Sequence, residues 1–553
     1  MLGGSQASRG SAAVNVWRQG LTIGTAPPAV WIPTALVAGA MLLPLAYLVY
    51  RAAGAGDEVW GLLLRERSWQ TLGRTVLLTG AVTTVSMVIA VPLAWLTART
   101  DLPHRRMWSV ITALPLVIPS YVAAFVVMVA LGPRGMFQQV LETAFGIERI
   151  PSIYGFPGAM MTIALLSYPY MLLPVRAALT GIDRTFEENA RTLGDGPWTA
   201  FRRVTLPQLR PAIAAGALLV ALYTLSDFGA VSMLRYETMT WAIYVQYESA
   251  FDRSVAAAYS LVLVALAASI LVVESVTRGR GVHHRTGGGS PRAPNPARLG
   301  RWKWPAWTFC AAATSLALGV PTLILMIWLV RGLLAGAELV QLWDSLANSM
   351  LASGLAAVAT TVLAIPLAVT IVRHRGRFAW FVERVSFIGF ALPGVVVALS
   401  LVFFGAMIVR PLYQTLWLLV FAYVVLFFPA ALGAVRTALL QVNPRYEEAA
   451  RSLGRTAAGT AATVTIPLMR HGLMAGAALV FLLAIKELPA TLILGPLGFK
   501  TLATSAWGAA SEAFFARAAA PAILTILVSS IPLAIMLFSA RPGRLSRLWR
   551  PLR

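Results

Sequence analysis

The sequence predicts an all-α, polytopic membrane protein made of two tandem, parallel six-helix halves. Three observations lead there. Of the 553 residues 58% are hydrophobic and only 12% charged, about half the charge of an ordinary globular domain. About twelve stretches approach the roughly 20 apolar residues that a bilayer span needs. Finally, a polar segment between long apolar ones occurs twice. Glu187-Glu188-Asn189-Ala190-Arg191-Thr192-Leu193-Gly194, continuing to Val204-Thr205-Leu206-Pro207, returns 260 residues later as Glu447-Glu448-Ala449-Ala450-Arg451-Ser452-Leu453-Gly454, continuing to Val464-Thr465-Ile466-Pro467.

Taken in order, residues 1–28 are rich in Gly, Ala and Ser and read as a disordered cytoplasmic tail. The first apolar run is too long for a cleaved signal peptide. The first half, 29–275, should hold spans at 30–51, 72–97, 109–131, 155–180, 209–233 and 255–274. A cytoplasmic linker follows at 276–304, whose Gly287-Gly288-Gly289-Ser290-Pro291 and arginines suit a flexible, solvated segment. The second half, 305–540, should hold spans at 305–330, 347–372, 386–409, 414–439, 471–494 and 519–539, and 541–553 form a basic cytoplasmic tail. An even number of spans before the linker gives both halves the same orientation. Arg99, Arg105, Arg106, Arg373, Arg375, Arg377, the linker and the arginines of the C-terminal tail gather on one side. By the positive-inside rule that side is cytoplasmic, with both termini and both repeated segments. The net charge of +23 has this cause, so no nucleic-acid partner is expected. Cys310 stands alone in an apolar helix, which leaves no disulfide framework and no thiol metal site.

The duplication extends further. Val91-Pro92-Leu93-Ala94 matches Ile365-Pro366-Leu367-Ala368, and Tyr168-Pro169 with Arg176 matches Phe428-Pro429 with Arg436. Ala113-Leu114-Pro115 pairs with Ala391-Leu392-Pro393 at an offset of 278, which implies an insertion of about 18 external residues near 132–153. Each repeated segment reads as two short helices joined at Gly194 or Gly454 in the left-handed conformation. Asn443 and Asp183 are candidate N-caps, and Pro444 suits a first helical position. A second short helix starts near Pro197 or Ala457, and Pro207 or Pro467 opens the next span. Such an elbow would move that span as a unit.

The spacing of acid, glycine and proline resembles the "EAA" loop of ABC importer permeases, and the architecture their type I fold. The resemblance implies that Glu187, Glu188, Ala190 and Gly194 serve one cytoplasmic ABC ATPase subunit, and Glu447, Glu448, Ala450 and Gly454 another. It further implies an external or periplasmic solute-binding protein and a multi-pass location in the bacterial cytoplasmic (inner) membrane. ATP and magnesium would bind in the partner subunits, and no cofactor in this chain. The acids would meet basic groups and the alanines allow close approach, with Asn189 loosening the first contact. The two docking surfaces should differ after the glycine, where Phe201, Arg202 and Arg203 face Ala461, Ala462 and Thr463. Gly495-Pro496-Leu497-Gly498-Phe499-Lys500-Thr501 lacks the adjacent Gly-Lys and the context of a phosphate loop. His283 and His284 sit in the linker as a solvated pair, and no catalytic constellation is visible.

The run from Lys486-Glu487-Leu488-Pro489-Ala490-Thr491 through Phe499-Lys500-Thr501 is similar to the ferric-iron permeases, as is Ser226-Asp227-Phe228-Gly229-Ala230. In those proteins, too, both halves are fused. Thiamine and aminophosphonate permeases share that architecture and remain alternatives. An ion-coupled secondary transporter, the alternative from another class, would need central carboxylates. Asp227 and Glu487, 20 residues beyond each elbow proline, should lie in the outer half of the fifth and eleventh spans, where charge is costly. They are either part of a gate or substrate path, or are neutralised by Lys486 in a clamp between the halves.

Overall fold

The computed structural model describes residues 28–54, 61, 63–133, 135–147, 151–182, 185–249, 254–277, 297–336, 341–374 and 376–539. Residues 1–27 of the expected tail 1–28, the expected tail 541–553, most of the linker, Asp183, and the paired histidines lie outside them. Among the described residues the chain is helical and eleven helices are long and apolar enough to cross a membrane, or twelve when one bent pair counts as a span. The helices Pro28–Ala53, Glu66–Arg99, Phe156–Gly181, Leu342–Arg373 and Leu416–Gln441 cover the corresponding expected spans.

Two kinds of expected span are broken. The stretch 109–131 is divided into Arg105–Ile111, a tight turn Leu114–Val117, and Ser120–Leu131. The stretch 386–409 likewise gives Arg377–Ser386, Ile388–Ala391 and Gly394–Met407. Pro119 and Pro393 sit extended at the entry of the last helix in each set, where a residue without an amide proton costs nothing. These prolines, 274 residues apart, are structural equivalents. The pairing of Ala113-Leu114-Pro115 with Ala391-Leu392-Pro393 is therefore four residues out of register, and the first half gains 14 residues rather than 18. The extra length includes the short helix Met136–Phe145.

The other breaks end the expected spans 209–233 and 471–494 early. Leu206–Ser226 stops at Asp227 and Ile466–Ala484 stops before Lys486, with short helices Gly229–Met233 and Pro489–Leu494 beyond. An apolar run shows only that a segment tolerates lipid, and both acids lie inside such runs.

The chain forms two compact units. One comprises residues up to Ala46, Ala352–Phe390 and Val420–Ala484, and the other Tyr47–Leu351, Ala391–Leu419 and Ile485 onward. In the first unit the N-terminal helix packs on the second half, with Trp31 against Phe378 at 5.8 Å and Thr34 hydrogen-bonded to Thr370 at 3.0 Å. In the second, the helix opening the second half packs on the first, with Trp108 and Trp307 edge to face at 5.6 Å. Each half lends its first helix to the other, and Trp108 and Phe378 lie on corresponding helices, Arg105–Ile111 and Arg377–Ser386.

The end of the expected linker is ordered against the first half. Thr100 and Ala297 form a parallel bridge, the Leu299 amide donates to Asp101 Oδ1 at 2.8 Å, and Lys303 Nζ lies 3.0 Å from Oδ2. The Leu299 amide first, then the Lys303 ammonium, hold the Asp101 carboxyl below its usual range. The strap is therefore in force at neutral pH and is lost only as pH falls through that lowered value.

Lipid gives apolar side chains no reason to leave it, so helix association in a membrane depends on close backbone approach at small residues. A Cβ added at Gly472 would meet the Ala438 methyl at 2.2 Å, whereas one at Gly433 would meet nothing within 4 Å. Gly472→Ala should destabilise the purified permease by about 1–3 kcal/mol, as overpacking does. Gly433→Ala should leave stability unchanged or slightly raised, since alanine favours helix. Thermal unfolding in detergent compares the two.

Candidate functional site

Each elbow is a helix, a left-handed glycine and a second helix that runs directly into a span. The first helices are Thr185–Thr192 and Pro444–Ser452. Asn443 caps the latter by accepting the Arg445 amide at 3.1 Å. Gly194 has φ +99° and Gly454 φ +83°, a region a side chain rarely enters. The amides of Asp195 and Arg455 return to the carbonyls of Ala190 and Ala450, both at 3.1 Å, which closes the helix ends.

The second short helices are not separate from the spans. Pro197–Ala200 continues through a π turn, Phe201–Thr205, into Leu206–Ser226. Ala457–Thr460 continues through Ala461–Thr465 into Ile466–Ala484. The wide turns lie just before Pro207 and Pro467, which lack the amide needed to continue the α-helical ladder. The Leu206 and Ile466 amides reach back to Phe201 and Ala461.

The leading carboxylate of each elbow faces inward. Thr205 Oγ1 donates to Glu187 and Thr465 Oγ1 to Glu447, both at 3.1 Å. Arg373 donates to Glu447 at 3.2 Å and to the Val442 carbonyl at 3.0 Å. Arg99 donates equivalently to the Ile182 carbonyl at 2.9 Å. The Arg373 and Glu447 side chains are only 17% and 13% exposed. Arg176 and Arg436, matched in the sequence, bind the Ser109 carbonyl and Glu383 respectively. The elbows are also cross-linked over their glycines with reversed polarity. Arg203 pairs with Asp195 at 3.4 Å, while at the same positions Arg455 donates to Thr463 at 2.8 Å.

The outward face differs from the one expected. Glu188 and Glu448 are exposed, but Ala450 is buried in its own elbow and Ala190 is only half-exposed. The exposed small position is Ala449, replaced by Asn189 in the other copy. It lies between apolar groups that the sequence reading passed over. Phe186 and Tyr446 are 55% and 58% exposed, and Leu193 and Leu453 89% and 84%. A separation of seven residues, two helical turns, and recurrence at 260 were the available signals.

At the far ends of the elbow-bearing spans, the two acids cap the short helices. Asp227 Oδ1 accepts the Ala230 amide at 2.9 Å, and Glu487 Oε1 accepts the Ala490 amide at 3.3 Å. Negative charge is favoured at a helix N-terminus. Gly229 packs against Tyr121 and the Ser120 hydroxyl, and Gly394, equivalent to Ser120, lies against the Glu487 carboxylate. Lys486 does not neutralise the acids by an ion pair among the described residues. Its Nζ donates to the Leu116 carbonyl of the first half at 2.9 Å.

The family model for the inner membrane component of binding-protein-dependent transport systems matches residues 90–278 and 360–541. The chain is 34% identical over 500 residues to the Fe(3+)-transport system permease protein FbpB 2 of Haemophilus influenzae, covering 90% of this chain and 95% of that protein. It is 25% identical over 466 residues to the ferric transport system permease protein FbpB of Actinobacillus pleuropneumoniae, covering 80% of this chain and 66% of that one. Similarity to the molybdenum transport system permease protein ModB of Escherichia coli, 33% over 228 residues, covers 39% of this chain and 96% of that protein.

The inward and outward carboxylates should separate in stability. Glu447→Ala removes a partner from both Arg373 and Thr465 and should cost about 1–3 kcal/mol, the range for stranding buried donors. Glu448→Ala should cost nothing measurable, and thermal unfolding of the purified permease checks both. Lys486→Met should also lower the melting temperature, with Lys486→Arg restoring much of the loss.

Proposed function

The chain belongs to the family of inner membrane components of binding-protein-dependent transport systems, and we propose from this that it imports ferric iron together with two cytoplasmic ABC ATPase subunits. It is a multi-pass inner-membrane permease of the ABC importer type. Family membership sets aside the ion-coupled secondary transporter. The observation that carries the ferric reading is the similarity to a ferric permease over nearly the whole length of both proteins. The molybdenum permease matches a segment the length of one half.

In this reading the arginine-rich side is cytoplasmic, with both elbows and both termini. Each elbow presents one exposed carboxylate beside two exposed apolar side chains: Glu188 with Phe186 and Leu193, and Glu448 with Tyr446 and Leu453. Such a patch suits a groove with an apolar floor and a basic rim. Gly194 and Gly454 shape the turn, and Ala190 and Ala450 pack the elbow. Glu187 and Glu447 stiffen it. ATP and magnesium bind in the ATPase subunits. Closure of those subunits draws the elbows together, and each elbow turns its span as a lever.

The levers end at Asp227 and Glu487. Their movement opens the path to solute delivered by an external or periplasmic binding protein. Two acids meet one lysine in this region, and when both acids are ionised the balance favours a cation over an oxyanion. Because each acid already accepts a backbone amide, it supplies field and shape rather than a tight binding site, as a through-path requires.

Cells lacking the endogenous gene and supplied with this chain should take up labelled ferric iron, with molybdate and thiamine uptake unchanged. Glu448→Arg or Leu453→Asp should reduce ferric uptake by about tenfold or more, the effect of losing one interface hot spot, with normal amounts of permease in the membrane. Ferric uptake indifferent to the gene would remove the substrate assignment. Full uptake by both variants would remove the docking assignment.

A further inference from the structure

A cavity of about 680 Å³ opens where the helix Val320–Leu334 ends and the last span, Phe515–Ser539, begins. Counting spans puts it on the face opposite the first elbow. Its walls include Trp328, Arg331 and Gly332 from one helix and Phe514, Phe515 and Arg517 from the other. Gly332 sets the closeness of the two helices, since a Cβ there would come 2.9 Å from the Ala516 methyl.

The polar side chains at this cavity are donors. Arg331 stacks over the Trp328 ring at 5.7 Å and Arg517 over the Phe514 ring at 5.3 Å. This arrangement holds the guanidinium planes and leaves their N–H edges available. No acidic side chain lines the cavity, and among the described residues neither arginine makes an ion pair. The Trp328 indole Nε1 is buried without a hydrogen-bond partner, although buried donors are normally satisfied. The first turn of the last span adds amides that have no partner within their own helix. Two guanidinium groups, an orphaned indole N–H and a helix N-terminus together call for an anion with several oxygens.

Below the cavity an apolar track runs along the same helix. Val330, Met326 and Leu323 are exposed and spaced four and three residues apart, so they form one stripe along the bilayer-crossing length. A soluble anion would have no use for that stripe, whereas an acyl chain would lie along it. Lysine and arginine are scarce at the outer ends of spans, where the positive-inside rule disfavours them; two at one cavity need a reason.

We propose that this cavity binds the phosphate headgroup of one anionic phospholipid, with an acyl chain along Val330, Met326 and Leu323. The headgroup bridges the end of the second half's first helix and the start of its last span. It thereby pins these two helices at the face opposite the elbows.

The test is native mass spectrometry of the delipidated, full-length permease titrated with dioleoylphosphatidylglycerol or dioleoylphosphatidylcholine. The wild type should retain one tightly held phosphatidylglycerol. Arg331→Gln with Arg517→Gln should weaken that adduct by about tenfold or more, as expected for lost charge-assisted bonds to phosphate. Trp328→Phe keeps the ring but removes the orphan donor, and should weaken it by about fivefold. Phosphatidylcholine adducts should not respond to any of the three substitutions. A thermal melt of each variant confirms folding, and Trp328→Phe remains the reading if the double variant does not assemble. Equal phosphatidylglycerol retention by wild type and variants would overturn the proposal. So would equal retention of phosphatidylcholine, or complete displacement by glycerol 1-phosphate at the concentration that displaces nothing else.

Discussion

The bond between the leading carboxylate of each elbow and a threonine of the adjoining π turn holds the rest together. Glu187 to Thr205 and Glu447 to Thr465 join the elbow helix to the start of the span across a glycine-centred bend. Without that tie, the bend would be a hinge, since a left-handed glycine gives direction but little stiffness. With it, the elbow and the roughly thirty-residue helix beyond form one body, and displacement at the elbow end reaches the break at Asp227 or Glu487. The π turns contribute by carrying the helix past Pro207 and Pro467 without interruption. They also bring Thr205 and Thr465 into reach of the acids.

The duplication gives the same mechanical plan twice but different chemistry within it. Positions 195 and 203 form an acid–arginine pair in one elbow, and an arginine–threonine pair with exchanged roles in the other. In the second elbow Arg373 also pairs with Glu447. The outward faces differ too, with Phe186 and Asn189 against Tyr446 and Ala449. Strength in the second elbow rests on a half-buried ion pair with a backbone anchor, so the two levers share geometry without having equal stiffness. That is how a fused chain, unlike a homodimer, can tune each side separately.

Much of this was legible in the sequence because it was written as composition and as a repeated register. Hydropathy located nearly all the spans, and the recurrence at 260 located both elbows, their glycines and Asn443. The breaks at Asp227 and Glu487 were not legible. Hydropathy reports what lipid tolerates, whereas these helices end because a carboxylate captures an amide three residues ahead. The insertion was oversized by four residues because Ala-Leu-Pro occurs by coincidence four residues from the true equivalent of Pro393. Exchange of the first helices between the halves was invisible, since an apolar helix carries no mark of its partner. Leu193 and Leu453 were hidden in plain view beside the glycines, where a capping motif explained the segment without asking what those leucines covered.

Rigid transmission through the elbow is tested most directly by ferric uptake per ATP hydrolysed, in proteoliposomes holding the permease with the proposed ATPase subunits and binding protein. Thr205→Val with Thr465→Val removes both ties and leaves the exposed faces intact. The complex should still assemble and hydrolyse ATP, while uptake per ATP falls by about fivefold or more, as two lost hydrogen bonds allow. An unchanged ratio in the assembled double variant would show that the elbows transmit motion without these ties, and would contradict the account at its centre.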